Sequence, residues 1–160
     1  YHGVIAAEPD EAGKMFMALN ISETEQELRG GIDMLHAETG NPVGVTGFCM
    51  GGALALFAAC QNSNKVGACV DFYGIHPNVE YDWDSLTAPV LGLWAEHDDM
   101  VNPQLTGFAE ALASRQHNFH FKTYPGTAHA FFNDTNTEGH DVEASADAWE
   151  LTLEWFARYL

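Results

Sequence analysis

Basic residues are scarce in this sequence: six Lys and Arg stand against 23 Asp and Glu, for a formal net charge of -17. That imbalance repels phosphate backbones and anionic lipid headgroups, so neither nucleic acid nor a membrane surface is expected as a partner. Long apolar runs are missing as well. None approaches the roughly 20 residues that cross a bilayer, and the first residues lack the basic-then-apolar order of a secretory leader, so a cytoplasmic protein is expected. Cysteine is sparse and unpaired in pattern: Cys49, Cys60 and Cys69 include no C-x-x-C spacing, which argues against a disulfide framework and a structural zinc site. Reduced thiols are the expectation. No repeat, low-complexity tract or linker divides the chain, and 160 residues with 46% apolar content suit one domain over 1–160 with a sizeable core.

The apolar spacing that is present reads as alternating helices and strands. Pro9 to Leu19 predicts a short helix with Asp10 and Glu11 in its first turn and Met15, Phe16 and Leu19 on one face. Ser22 and Glu25 predict a capping box for a second helix carrying Leu28, Ile32 and Leu35, which stops at Gly40-Asn41-Pro42. Val43 to Gly47 reads as a strand running into a glycine turn and an Ala- and Leu-rich helix. Gly67 to Tyr73 and Pro89 to Trp94 are continuous apolar runs of strand length, as in parallel strands covered on both faces. Pro103 to Ser114 reads as a helix and Phe119 to Tyr124 as the last strand. Val142 to Tyr159 closes the chain as a helix with Trp149, Leu153 and Phe156 on one stripe. The order predicts an α/β fold with a mostly parallel sheet flanked by helices. The irregular stretch from Gly74 to Ala88, with Tyr81 and Trp83, is a candidate pocket wall.

Gly47-Phe48-Cys49-Met50-Gly51, between a strand and a helix, is where the chemistry concentrates. A nucleophile on such a turn has strained backbone, so small residues are expected two before and two after it. The turn lifts the Cys49 side chain above the sheet and aims the N–H of Met50 at an oxyanion, while the helix N-terminus favours the thiolate. Cys60 and Cys69, by contrast, sit in apolar stretches and read as small buried hydrophobes. A thiol nucleophile needs a base, and on this kind of scaffold an acid and then a histidine follow it along the chain. Asp98, after the strand ending near Trp94, and His129, after the strand ending near Tyr124, satisfy that order, with Asp99 and Glu96 as rivals for the acid. His117 and His120 fall on opposite faces of a strand and make no metal pair.

Those segments resemble the dienelactone hydrolase (carboxymethylenebutenolidase) family of α/β-hydrolases. Gly47-Phe48-Cys49-Met50-Gly51-Gly52-Ala53 is similar to its cysteine elbow, Glu96-His97-Asp98-Asp99-Met100-Val101 to its acid segment, and Ala128-His129-Ala130-Phe131 to its histidine loop. Tyr73-Gly74 also fits a family turn. The resemblance implies a hydrolase of small-molecule esters or lactones, with Cys49, Asp98 and His129 catalytic, the Met50 amide in the oxyanion site, and no metal or cofactor. Tyr73, Phe131 and Phe132 are the candidate substrate-pocket walls. Two departures matter. Tyr1-His2-Gly3 resembles a segment lying after an early family strand, so the chain is expected to start mid-fold, without several N-terminal strands, the second oxyanion donor and a glutamate that holds the resting cysteine. A homodimer covering the bared sheet edge is expected. Asn133 stands near the place of the family's carboxylate-binding arginine, and Arg115 and Arg158 read as surface helix residues, which points to a neutral ester or lactone.

Two other readings compete with the enzyme. One is a weakly active or inactive hydrolase-fold remnant that dimerises through its sheet edge. The other is a redox-sensing thiol at Cys49.

Overall fold

The computed structural model describes residues 3–160, so Tyr1 and His2 of the Tyr-His-Gly opening lie outside the described residues. Two N-terminal helices, α1 (Pro9–Met17) and α2 (Ile21–Thr39), precede a regular alternation: β1 (Val43–Phe48), α3 (Met50–Gln61), β2 (Val66–Phe72), β3 (Val90–His97), α4 (Asn102–Ser114), β4 (Phe119–Ala128) and α5 (Val142–Tyr159). The four strands lie in sequence order and pair in parallel throughout. This is the expected α/β architecture. Helix α3 packs on β1 and β2, α5 on β2 and β3, and α4 on β3, which buries the central strands from both sides. Val90 to Ala95 are accordingly almost solvent-free, with Trp94 against Phe108 and Phe121.

Several local expectations are corrected. The cap of α2 is Asn20, whose side chain accepts from the Ser22 and Glu23 amides, rather than a Ser22 box. Of the expected apolar face of α2 only Ile32 is buried, while Leu35 is 44% exposed. The face that α5 turns to the sheet is Ala144, Ser145, Ala148, Thr152 and Trp155, displaced by about one position from the Trp149–Leu153–Phe156 stripe. Small side chains let the helix approach closely, which leaves Trp149 and Leu153 half exposed at its flank.

Strands β3 and β4 both run further than their apolar patterns. The ladder skips between Ala95 and His97 and resumes as His97 opposite Ala128. At the skip the Gly126 N–H donates to the Glu96 carboxylate at 2.7 Å, so Pro125-Gly126 is an irregularity within an outer strand instead of its end. Asp98 and His129 therefore each stand directly after a strand, side by side at the carboxyl edge of the sheet. His117 precedes β4 rather than lying in it and bonds the Trp83 carbonyl at 2.7 Å. Arg115 caps the end of α4 and pairs with Asp84.

Candidate active site

A single residue, Cys49, joins β1 to α3. Cys49 sits there at φ 54° and ψ -124°, in the left-handed half of backbone space that an L-residue occupies only under constraint. The constraint is visible on both sides: the Cys49 N–H donates to the Phe72 carbonyl at 3.0 Å, and the Cys49 carbonyl accepts from Gly52 and Ala53. Glycine is needed at position 47, where a Cβ would fall 1.9 Å from the Gly51 carbonyl oxygen. Position 51 differs from the expectation, because a Cβ there would meet nothing. The close approaches on the far side belong to Gly52 and Gly74, the latter 2.4 Å from the Cys49 carbonyl oxygen were a Cβ present.

At the ends of β3 and β4 the acid and the histidine are locked together. His129 Nδ1 lies 2.6 Å from Asp98 Oδ2. Asp98 is buried, and its other oxygen accepts from the Met100 and Val101 amides, both at 3.1 Å, so the carboxylate has one orientation. Asn102 braces the turn by donating to the Ala95 and Glu96 carbonyls. Asp99 and Glu96, the rival acids, do not approach the ring by any bond, and Glu96 is engaged by Gly126. The histidine loop is pinned from behind, where the Phe131 carbonyl accepts from the Asp141 N–H and the Ser145 hydroxyl.

The remaining nitrogen, His129 Nε2, is shielded from solvent and has no well-formed hydrogen bond, yet it stands close enough to the Cys49 thiol for each group to shift the other. The imidazole is the largest influence on the thiol and draws it below its ordinary range, with the Met50 N–H adding to the effect against the opposing burial. Reciprocally, the thiol and then Asp98 raise the imidazole from 6.5 to about 9, against burial. Cys60 and Cys69 move the other way, Cys60 up to about 12, because burial without a cation disfavours their thiolates.

A cavity of about 650 Å³ opens beside Cys49. Tyr73 and Phe132 line it, Tyr73 also meeting the His129 ring edge-on at 5.1 Å. Phe131 does not: it is fully buried in the core against Tyr73 and Tyr124, since the left-handed turn at Ala130 (φ 63°) sends it inward. Sequence reasoning misses Phe48, Trp149 and His140 as wall residues. Phe48 stacks on Phe132 at 5.2 Å, and its place beside the cysteine is a usable signal. The Gly74–Ala88 segment walls a separate cavity, with Tyr81 stacked on Trp83.

A parallel sheet with a strained cysteine turn, an acid and a histidine at successive strand ends is the arrangement of an α/β-hydrolase. The chain belongs to the dienelactone hydrolase family, whose model matches residues 2–160, and it is thereby a hydrolase acting on esters or lactones. It is 30% identical to protein usf of Aquifex pyrophilus over 167 aligned residues, which take in 100% of this chain and 72% of that protein. It is also 30% identical to a carboxymethylenebutenolidase of Rhodococcus opacus, over 73% of this chain and 50% of the relative. The crystal structure of a dienelactone hydrolase-like promiscuous phosphotriesterase from metagenomic libraries shares the fold with a TM-score of 0.81 at 19% identity, covering 96% of this chain and 68% of that one. No helix among the described residues is long and apolar enough to cross a membrane.

Proposed function

We propose that Cys49, His129 and Asp98 form a catalytic triad that cleaves a small neutral ester or lactone through a thioester intermediate. The observation that carries this reading is the state of His129: one ring nitrogen is fixed on Asp98 at 2.6 Å, while the other is shielded from solvent and the Cys49 thiol is the largest influence on the ring. With the imidazole protonated and the thiol ionised, Cys49 Sγ attacks the substrate carbonyl carbon, and the carbonyl π pair moves to oxygen beside the Met50 amide. Collapse of the tetrahedral intermediate breaks the bond to the alcohol oxygen, which takes the proton from His129 Nε2. His129, now neutral, removes a proton from water, whose oxygen attacks the thioester. The acid departs and the thiolate and imidazolium are restored.

The cavity suits a neutral acyl or alkoxy group: Phe48, Tyr73, Phe132 and Trp149 offer aromatic surface, and Asp134 adds negative charge at the mouth. Turnover of a p-nitrophenyl ester by the parent chain beside Cys49→Ala tests the reading. Turnover that disappears in the variant is the expected result, and equal rates in the two proteins exclude Cys49 as nucleophile.

A further inference from the structure

Beneath the nucleophile turn lies an acid that the triad does not use. Asp71 is on β2, opposite Gly47 of β1 and Gly92 of β3. It is fully buried, and neither carboxyl oxygen has a well-formed hydrogen bond. Its surroundings are glycine backbone. A Cβ on Gly52 would come 2.0 Å from Oδ1, and a Cβ on Gly74 would come 2.5 Å from Oδ1 and 2.4 Å from the Cys49 carbonyl oxygen. The carboxyl thus fills the space those glycines leave, directly under the strained residue.

A buried, poorly paired polar group of this kind is costly, and an apolar side chain of the same size would fill the space more cheaply. Burial pushes Asp71 well up from the usual carboxylate range, outweighing the nearby Gly74 N–H, so the neutral acid is favoured. The ionisable groups that face it are Cys49 at the turn, Cys69 on its own strand and Tyr81 on the loop beyond β2, none of them cationic. The protonated form, which burial favours, supports the turn without a second negative charge next to the Cys49 thiolate.

We propose that Asp71 is a positioning residue for Cys49: its carboxyl seats the underside of the nucleophile turn against Gly52 and Gly74 and thereby holds the thiol at the His129 ring. The inference rests on the reading of Cys49 as the nucleophile. Its test is the pH dependence of Cys49 alkylation by iodoacetamide, followed by intact mass on the full chain, because this reports the thiolate without requiring ester turnover. Buried Cys60 and Cys69 serve as unreactive internal references.

Asp71→Asn keeps the shape and the neutrality of the acid and is expected to alkylate at the parent rate near neutral pH. Asp71→Ala empties the seat, the turn relaxes away from His129, the thiol ionises at higher pH, and alkylation near neutral pH falls about ten-fold. Its kcat on the ester falls with KM unchanged. Asp71→Ser carries the same expectation and replaces the alanine variant if that protein does not fold. Alanine or serine variants with a lowered thermal midpoint but the parent's alkylation profile would overturn the proposal, since the role would then be structural alone. An asparagine variant as slow as the alanine one would overturn it too. A parent chain that alkylates but hydrolyses no ester defeats the hydrolase reading and leaves this one intact, whereas variants that all alkylate alike defeat this one whatever the ester assay gives.

Discussion

His129 Nδ1 and Asp98 Oδ2 are 2.6 Å apart, and the second Asp98 oxygen is held by two backbone amides, so the ring has a fixed rotation with Nδ1 on the acid and Nε2 turned to Cys49. Asp98→Asn replaces an acceptor with an amide that can present N–H to Nδ1 and force the opposite tautomer. With the fold retained, kcat is expected to fall by about 10²–10⁴ while KM moves little, by analogy with the effect of such a change in other triads. Steady-state kinetics beside a circular dichroism spectrum check it, and a variant within two-fold or so of the parent would remove Asp98 from the mechanism.

The pH profile follows from the same pair. Cys49 is drawn below the ordinary thiol value of 9.0 and His129 is raised to about 9, so thiolate and imidazolium coexist in a window bounded below by the thiol and above by the imidazole. Turnover should rise as pH passes upward through the thiol ionisation and fall above about pH 9, where Nε2 no longer carries the proton that the leaving alcohol needs. Asp98 favours the protonated ring, so Asp98→Asn should move the alkaline limb downward. A limb that stays in place in the variant refutes the assignment of that limb to His129.

The parts of the site set by local backbone chemistry are legible in the sequence alone. Gly47 and Cys49 lie at a strand end that apolar periodicity marks, Asp98 and His129 follow four and five residues after the apolar runs that end at Trp94 and Tyr124, and strand ends of a parallel sheet fall on one edge. The cavity wall is less legible because it depends on which way side chains point. Phe131 and Phe132 are indistinguishable in sequence, and only the left-handed Ala130 decides that the first is core and the second is wall. Trp149 belongs to a stripe on α5 whose apolar spacing imitates a buried face, which conceals its place at the cavity. Asp71 is hidden in an apolar run, since nothing local distinguishes a buried acid from a strand-end polar residue.

Substrate charge should matter. Asp134 lines the cavity, no Lys or Arg is among its described lining residues, and the whole chain carries -17. A carboxylated lactone therefore meets repulsion on approach and finds no Lys or Arg on the described walls to pair with. For matched neutral and carboxylated lactones, kcat/KM is expected to favour the neutral compound, with the gap narrowing as salt is added. A preference for the carboxylated compound at low salt would refute this electrostatic account.

Strand β1 is the last strand on its side of the described sheet, and Phe48 at its end is 40% exposed. Met34 and Leu35 of α2 are exposed as well. An open strand edge with apolar neighbours favours pairing with a second copy of the chain. Light scattering is expected to give a homodimer mass that persists on dilution through the micromolar range; a folded monomer at every concentration counts against it.

Gly47 and Gly51 look equivalent in sequence but not in space, which allows a paired test of the turn. A methyl at position 47 would sit 1.9 Å from the Gly51 carbonyl oxygen, part of the backbone that begins α3, so the turn must open to admit it. Gly47→Ala should cost about 1–3 kcal/mol or more as overpacking against backbone, and it should abolish ester turnover even where the protein still folds. A methyl at position 51 meets nothing within 4 Å and lies in the first turn of a helix. Gly51→Ala should therefore leave turnover near the parent level and gain up to about 1 kcal/mol from helix propensity, a rise of about 2–4 °C in Tm for a chain of this size. Thermal denaturation and ester kinetics on the two variants decide the point. Equal damage from both substitutions would mean that the turn needs glycine on each side for a reason other than steric fit.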